Sequence, residues 1–168
     1  QVSNASYTPN CVADYTIMLM LMAIRKMKRI MQREEINDFS LKGIQGRIMP
    51  AFNVGIIGTG RIGSIVTQYL SGFGCKVYAY DLHENPAVKN YAEYTDLETI
   101  YRKCNMISLH MPLNEDNFHM INRETIAKMR DDVVIVNTGR GSLIDSQALI
   151  DGIVSGKVGA AALDVVEN

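Results

Sequence analysis

The chain has no tryptophan, only four prolines and three cysteines in 168 residues, and almost no charge imbalance. Each shortage removes a class of protein. Seventeen basic against eighteen acidic residues leave a net charge of −1, which offers no basic excess for nucleic acid and no cationic face for an anionic membrane. Cys11, Cys75 and Cys104 form no C-x-x-C pair and no metal-ligand spacing. An odd count without a disulfide pattern fits a reducing cytoplasm. Long hydrophobic runs are missing too. The longest, Tyr15–Ile24, is shorter than the ~20 residues a bilayer span needs. Its basic neighbours Arg25, Lys26, Lys28 and Arg29 follow it, whereas a signal peptide would carry them in front.

What remains is ordinary globular composition, 47% apolar and 21% charged, in a length that suits one domain. The chain opens on Gln1 rather than Met and stops abruptly, as a fragment would. Thr8-Pro9-Asn10 reads as a helix entry, a hydroxyl N-cap followed by proline in the first turn. The pattern predicts one long helix from Pro9 to about Glu35, its first half apolar all round and its second half basic. The charge run Arg25–Arg33 reads as a solvated helix face rather than a polyanion site. Gly43, Gly46 and Pro50 mark residues 36–52 as a connector, so residues 1–52 form a hinge helix and linker ahead of a core at 53–168. In that core, strand candidates at Asn53–Gly58, Lys76–Asp81, Met106–Met111, Val133–Asn137 and Gly159–Val166 alternate with helical stretches. These helices are expected at Arg61–Phe73, Leu97–Cys104, Arg123–Met129 and Ser146–Ser155. Several strands lack polar alternation, which suits a sheet covered on both faces. Strand–helix alternation at this spacing predicts an α/β fold with a doubly wound parallel sheet.

The strongest motif is Gly58-Thr59-Gly60-Arg61-Ile62-Gly63, a G-x-G-x-x-G between a strand and a helix. Gly58 permits the tight turn, Gly60 lets a pyrophosphate approach the backbone, and Gly63 lets helix and strand pack closely. The helix N-terminus offers amides and the positive end of a dipole to phosphate oxygens. A second strand ends in Asp81, whose carboxylate suits ribose hydroxyls and repels a 2′-phosphate, favouring NAD over NADP. Together these features predict a Rossmann-type dinucleotide site.

Further along, His110-Met111-Pro112 ends a strand at the edge where such sheets bind ligands. His110 reads as a packed or hydrogen-bonded histidine rather than an acid–base group, and His83 and His119 carry no supported role. Asn137-Thr138-Gly139-Arg140-Gly141 follows another apolar strand. Its glycine-flanked arginine is suited to holding a carboxylate through two hydrogen bonds. Asp164 ends the next strand and faces the same edge in this reading.

SYTPNCVADYT, VGIIGTGRIG, the HMPLN segment, VNTGRG and GAAALDVVEN stand in this order across nearly the whole chain. In them the chain resembles the cofactor domain of the D-isomer-specific 2-hydroxyacid dehydrogenases, closest to the D-lactate branch that includes the vancomycin-resistance type. That resemblance implies that Arg140 binds the substrate carboxylate and polarises its keto group. It implies pyrophosphate contacts at Arg61 and Ile62, a ribose contact at Asp81, and a cofactor wall of Met111, Pro112 and Asn117. Thr138, Gly139 and Asp164 fall beside the nicotinamide. Tyr7 matches a substrate-side tyrosine, with hinge packing as the competing account. The vancomycin-resistance branch often lacks the acid found here as Asp81, so a plainly NAD-using member fits better. The family's catalytic glutamate would fall one place after Asn168 and its general-acid histidine later, while most of the substrate domain precedes Gln1. Glu167 is the nearby non-catalytic acid of the pattern.

The implied reaction is reversible reduction of a 2-keto acid, with pyruvate and D-lactate the expected pair. An NAD-sensing corepressor of the same fold is the rival reading, and phosphoglycerate, glyoxylate or a branched-chain keto acid are alternative substrates. The family also forms dimers through the region of the first helix. Met18, Met20, Met22, Met27 and Met31 suit either that interface or core packing.

Overall fold

A computed structural model describes residues 8–167. Pro9–Ile24 form α1 and Met27–Glu34 form α2. From residue 53 onward strands and helices alternate. The order is β1 Asn53–Ile57, α3 Arg61–Gly72, β2 Lys76–Tyr80, β3 Glu93–Tyr94, α4 Leu97–Lys103, β4 Met106–Leu109, α5 Arg123–Lys128, β5 Val133–Asn137, α6 Ser146–Val154 and β6 Val158–Leu163. The six strands form one sheet in the order β3-β2-β1-β4-β5-β6, and every pairing is parallel. This is the Rossmann-type α/β fold expected from the alternation. The predicted strands and helices appear within a residue or three of their expected ends. The two-residue β3 escaped notice because it is too short to show any period.

Alternation along the strands divides the core into two halves, one on each side of the sheet. Val54, Ile56, Val77, Met106, Val134 and Val136 point to the side where α1 and α3 bring Ala13, Ile17, Met20, Val66 and Leu70. Ile57, Ile107, Leu109, Val133 and Ile135 point to the opposite side, against Ile100, Tyr101, Ile126 and Leu149 from α4, α5 and α6. Both faces being apolar is the reason these strands read as continuous hydrophobic runs.

The long first helix is instead two helices. α1 buries Ala13, Thr16, Ile17, Met20 and Ile24, one stripe at helical spacing, and it packs on α3, β5 and β6. The chain then breaks at Lys26, which takes a left-handed backbone with φ 54°. The cause is tertiary. The connector crosses the end of α1, where the Arg47 amide takes the Ile24 carbonyl at 2.9 Å, so that acceptor is no longer given to a continuing helix. Gly46 makes the crossing possible, since a Cβ there would lie 2.9 Å from both Arg25 Cα and the Ile24 carbonyl oxygen. Basic α2 buries nothing, as its pattern implied. The hydroxyl cap at Thr8 also differs from expectation. Thr8 holds the N-cap position, but its Oγ1 lies 3.2 Å from Cys11 Sγ and no helix amide uses it. Of the methionines, Met20 is core, while Met18 and Met31 are exposed.

Central β1 also shows how tightly the α4 face is filled. A Cβ on Gly55 would stand 2.5 Å from Ile100 Cγ2 and 3.2 Å from Cys104 Sγ. Gly55→Ala therefore overpacks a branched side chain that cannot swing away. The expected outcome is a loss of about 1–3 kcal/mol, read as a lower urea midpoint at unchanged slope.

Candidate cofactor site

Winding reverses between β1 and β4. From β1 the chain builds outward through β2 to β3, then returns to lay β4, β5 and β6 on the other side. Loops leaving the carboxyl ends of β1 and β4 diverge to opposite faces and leave a crevice between them. The described residues that the sequence marked as chemistry lie along this edge.

The glycine loop forms the floor. Gly58 has φ +96°, and a Cβ there would sit 2.7 Å from the His110 carbonyl carbon and 2.9 Å from the Met111 nitrogen. At Gly63 a Cβ would collide with the Gly58 carbonyl oxygen, so α3 can start against β1 only as glycine. Gly60 is different. Nothing lies within 4 Å of where its Cβ would be, and it caps α3 without any side-chain hydrogen bond. The first-turn amides of a helix have no acceptor of their own, so this open space over Arg61 and Ile62 suits an anion. The cradle therefore fits a dinucleotide pyrophosphate.

Asp81 closes the cradle from the β2 side. Its Oδ2 accepts from the Thr59 amide at 2.6 Å and the Thr59 hydroxyl at 3.1 Å, and its Oδ1 from the His83 amide at 3.0 Å. Burial alone would raise its pKa. The His83 and Thr59 amides, the Thr59 hydroxyl and the His83 charge outweigh that and hold the carboxyl below its ordinary value. Asp81 thus keeps its negative charge at the cleft wall.

Gly58, Gly60, Asp81, Met111, Pro112 and Asn117 line one cleft of about 240 Å³, with Tyr80, Leu82, His83, His110 and Asn114 completing it. Asn117 shapes the wall as well as lining it. Its Nδ2 donates to the Pro112 carbonyl at 2.8 Å, while its Oδ1 accepts the Asn114 amide at 2.8 Å. His110 Nε2 lies 2.9 Å from Ser108 Oγ, and burial pushes its pKa down to about 4. It is neutral at neutral pH, which agrees with the packed, hydrogen-bonded reading. A roomier depression of about 590 Å³ lies between α1 and the far end of α3, around Asp14, Ile17 and Tyr69, with no glycine cradle.

Thr138, Gly139, Arg140 and Asp164 gather one strand further along, outside that cleft. Met111 joins the two groups, because its carbonyl oxygen lies 3.4 Å from the Cβ position of Gly139. Asn137 fixes the turn, accepting the Gly139 amide at 3.0 Å and donating to the Arg140 carbonyl at 2.8 Å. The Arg140 guanidinium donates to the Gly139 carbonyl at 2.8 Å and is otherwise exposed. Among the described residues no carboxylate lies within ion-pair distance of it. The Asp164 amide bonds the Asn137 carbonyl at 3.0 Å, tying β6 to the same turn. Thr138 reaches the other way, its Oγ1 lying 3.0 Å from the hydroxyl of buried Thr16 on α1. Tyr7 lies outside the described residues.

Sequence reasoning missed two features. His119, given no role, stacks on Phe118 at 3.9 Å and places Nε2 2.7 Å from Glu167 Oε1. Gly141 lets Val166 and Glu167 cross directly over this turn, a packing need that no local motif announces.

Comparison with known proteins agrees with this geometry. Residues 17–168 match the model of the D-isomer specific 2-hydroxyacid dehydrogenase NAD-binding domain. The chain belongs to that family. An aromatic 2-oxoacid reductase of Clostridium sporogenes is 47% identical over 163 residues, 96% of this chain and 49% of the relative. The D-lactate dehydrogenase of Escherichia coli is 40% identical over 97% of this chain and 50% of its own length. Among solved structures, a D-lactate dehydrogenase from Aquifex aeolicus complexed with NAD and lactic acid has TM-score 0.93 at 38% identity, over 97% of this chain and 50% of that one. The chain spans about half the length of these relatives, and it is an NAD-binding domain.

The second and third glycines of the loop separate folding from binding. Gly63→Ala should lower the melting temperature, because the loop and helix must part. Gly60→Ala should leave melting nearly unchanged while weakening NADH about 10- to 100-fold, the loss of one or two charged hydrogen bonds. Fluorescence titration of NADH beside thermal melts of both variants checks this. Equal affinity in Gly60→Ala and wild type would refute the cradle.

Proposed function

We propose that the whole protein is an NAD-dependent dehydrogenase that reduces a 2-keto acid to a D-2-hydroxyacid, with pyruvate as substrate. The observation that carries this reading is Arg140, an exposed cation with no carboxylate within ion-pair distance among the described residues, on a turn packed against the NAD cleft through Gly139 and Met111. A fixed guanidinium there suits the carboxylate of a small acid and polarises the adjacent keto oxygen as negative charge develops. Bound NADH supplies hydride chemistry. This chain's residues orient the partners: Gly58, Gly60, Gly63, Arg61 and Ile62 at the pyrophosphate, Asp81 at the ribose, and Met111, Pro112 and Asn117 as the wall. Thr138, Gly139 and Asp164 stand beside the reacting ring, and Tyr7 on the substrate side. The relatives' names, D-lactate dehydrogenase and aromatic 2-oxoacid reductase among them, support the substrate class.

Residues 1–52 act as hinge helix and connector, and 53–168 as the Rossmann core, in this reading. The Thr16–Thr138 hydroxyl contact supports it, since movement of α1 is felt at the turn that carries Arg140. The protein works in the cytoplasm. Among the described residues no helix is long and apolar enough to cross a membrane, and the three thiols are unpaired.

A homodimer is part of the same proposal. Beyond α2 the chain exposes the apolar side chains of Ile36, Phe39, Leu41 and Ile48, the first three by 73%, 74% and 82%, and their burial would favour a second copy. Light scattering of the whole protein should give twice the chain mass, and Phe39→Asp with Leu41→Asp should give the monomer. A monomeric wild type refutes the dimer.

Arg140→Gln in the whole protein should lower kcat/KM for pyruvate by about 100- to 1000-fold, the loss of two charge-assisted hydrogen bonds, with NADH affinity kept. Steady-state NADH oxidation measures this, with an aromatic 2-keto acid as comparison substrate. Undiminished turnover in Arg140→Gln would remove the proposed role.

A further inference from the structure

Asp81 is held by more than the loop it faces. The Asn85 amide donates to the Tyr94 hydroxyl at 2.8 Å, and the Tyr94 hydroxyl donates to Thr59 Oγ1 at 2.7 Å. Thr59 Oγ1 in turn donates to Asp81 Oδ2 at 3.1 Å. Both ends fix the direction of this chain, because a backbone amide can only donate and an ionised carboxylate can only accept. Each hydroxyl therefore has its single proton committed. Such chains polarise one another, so every link strengthens the next.

The fold supplies the relay through an otherwise slight element. β3 is only two residues long and pairs with β2 in a register that sets Tyr94 beside Ala79, two residues before Asp81. Asn85 caps the short turn after Asp81 and adds a second grip, donating from Nδ2 to the Thr59 carbonyl at 3.2 Å. Thr59 itself is 1% exposed, so its hydroxyl depends on these partners. Neither Thr59 nor Tyr94 lines the cleft.

We propose that Tyr94, acting through Thr59, is a positioning residue that sets coenzyme preference by locking the Asp81 carboxylate. Oδ2 already accepts two hydrogen bonds and Oδ1 one, which leaves Oδ1 the oxygen with capacity for a ribose hydroxyl. A locked carboxylate presents that oxygen to NADH and holds a fixed negative charge against the 2′-phosphate of NADPH. Without the Thr59 hydroxyl the carboxylate is held by the Thr59 and His83 amides alone and turns more freely, weakening the first contact and relaxing the second. The inference rests on Asp81 being the ribose acid, and the test separates the two.

The test is fluorescence titration of NADH and NADPH with the whole protein and its Tyr94→Phe, Thr59→Val, Thr59→Ser and Asp81→Ala variants. Tyr94→Phe and Thr59→Val should each narrow the ratio of NADPH to NADH dissociation constants by about three- to tenfold, the worth of one hydrogen bond. A variant that combines Tyr94→Phe with Thr59→Val should narrow it no further than Thr59→Val alone, since both cut one chain. Thr59→Ser, which keeps the hydroxyl, should behave as wild type. General loosening of the fold would weaken both coenzymes alike and leave the ratio unmoved. An unchanged ratio in Tyr94→Phe and Thr59→Val, with Asp81→Ala collapsing it, overturns the relay. An unchanged ratio in Asp81→Ala overturns the ribose role on which it stands. Should Tyr94→Phe not fold, Thr59→Val against Thr59→Ser carries the same decision.

Discussion

The contact between Gly63 and the Gly58 carbonyl is the constraint from which the rest of the site follows. β1 ends under α3, and only a missing Cβ at residue 63 lets the helix begin that close to the strand. Because it does, the first-turn amides of α3 open onto the crevice, and Thr59 is turned back toward β2. Its amide and hydroxyl then meet Asp81. The open start of α3 and the held Asp81 carboxylate are thus two consequences of one close packing, and in the proposed function this couples recognition of pyrophosphate and ribose mechanically.

From that contact a continuous ledge runs along the carboxyl edge. Gly58 touches His110 and Met111, and Gly139 approaches Met111 in turn. The Asn137 carbonyl takes the Asp164 amide, while the Thr138 hydroxyl reaches Thr16 on α1. Loops from four strands and one helix are therefore locked into a single surface by backbone contacts at glycines and by paired hydroxyls. Such contacts tolerate little displacement, since interiors are packed as densely as crystals. The turn that carries Arg140 is thereby held in place relative to the glycine loop.

Much of this was legible beforehand. The glycine spacing, the acid after the second strand and the apolar runs are local signals, and each reflects a requirement met within a few residues. Asp81, Met111, Pro112 and Asn117 were expected at the coenzyme and line one cleft with the glycines. Features built from distant segments were not legible. The first helix breaks at Lys26 where the Arg47 amide, some twenty positions later, takes the Ile24 carbonyl and Gly46 allows the close approach. His119 and Glu167, separated by 48 residues, pair across the turn at Arg140. The relay through Tyr94 depends on a strand too short to announce itself.

By itself the sequence determined the alternation of strands and helices, their two-sided burial, and where glycine and aspartate had to stand. Side-chain period and backbone freedom are properties of residues and their near neighbours. Only the tertiary structure decided which carboxylate oxygen is left for a ligand, which hydroxyl holds Asp81 in place, and where the first helix stops. Those outcomes depend on groups that meet across the sheet. A hydrogen-bond partner 20 or 50 residues away leaves no trace in the local pattern.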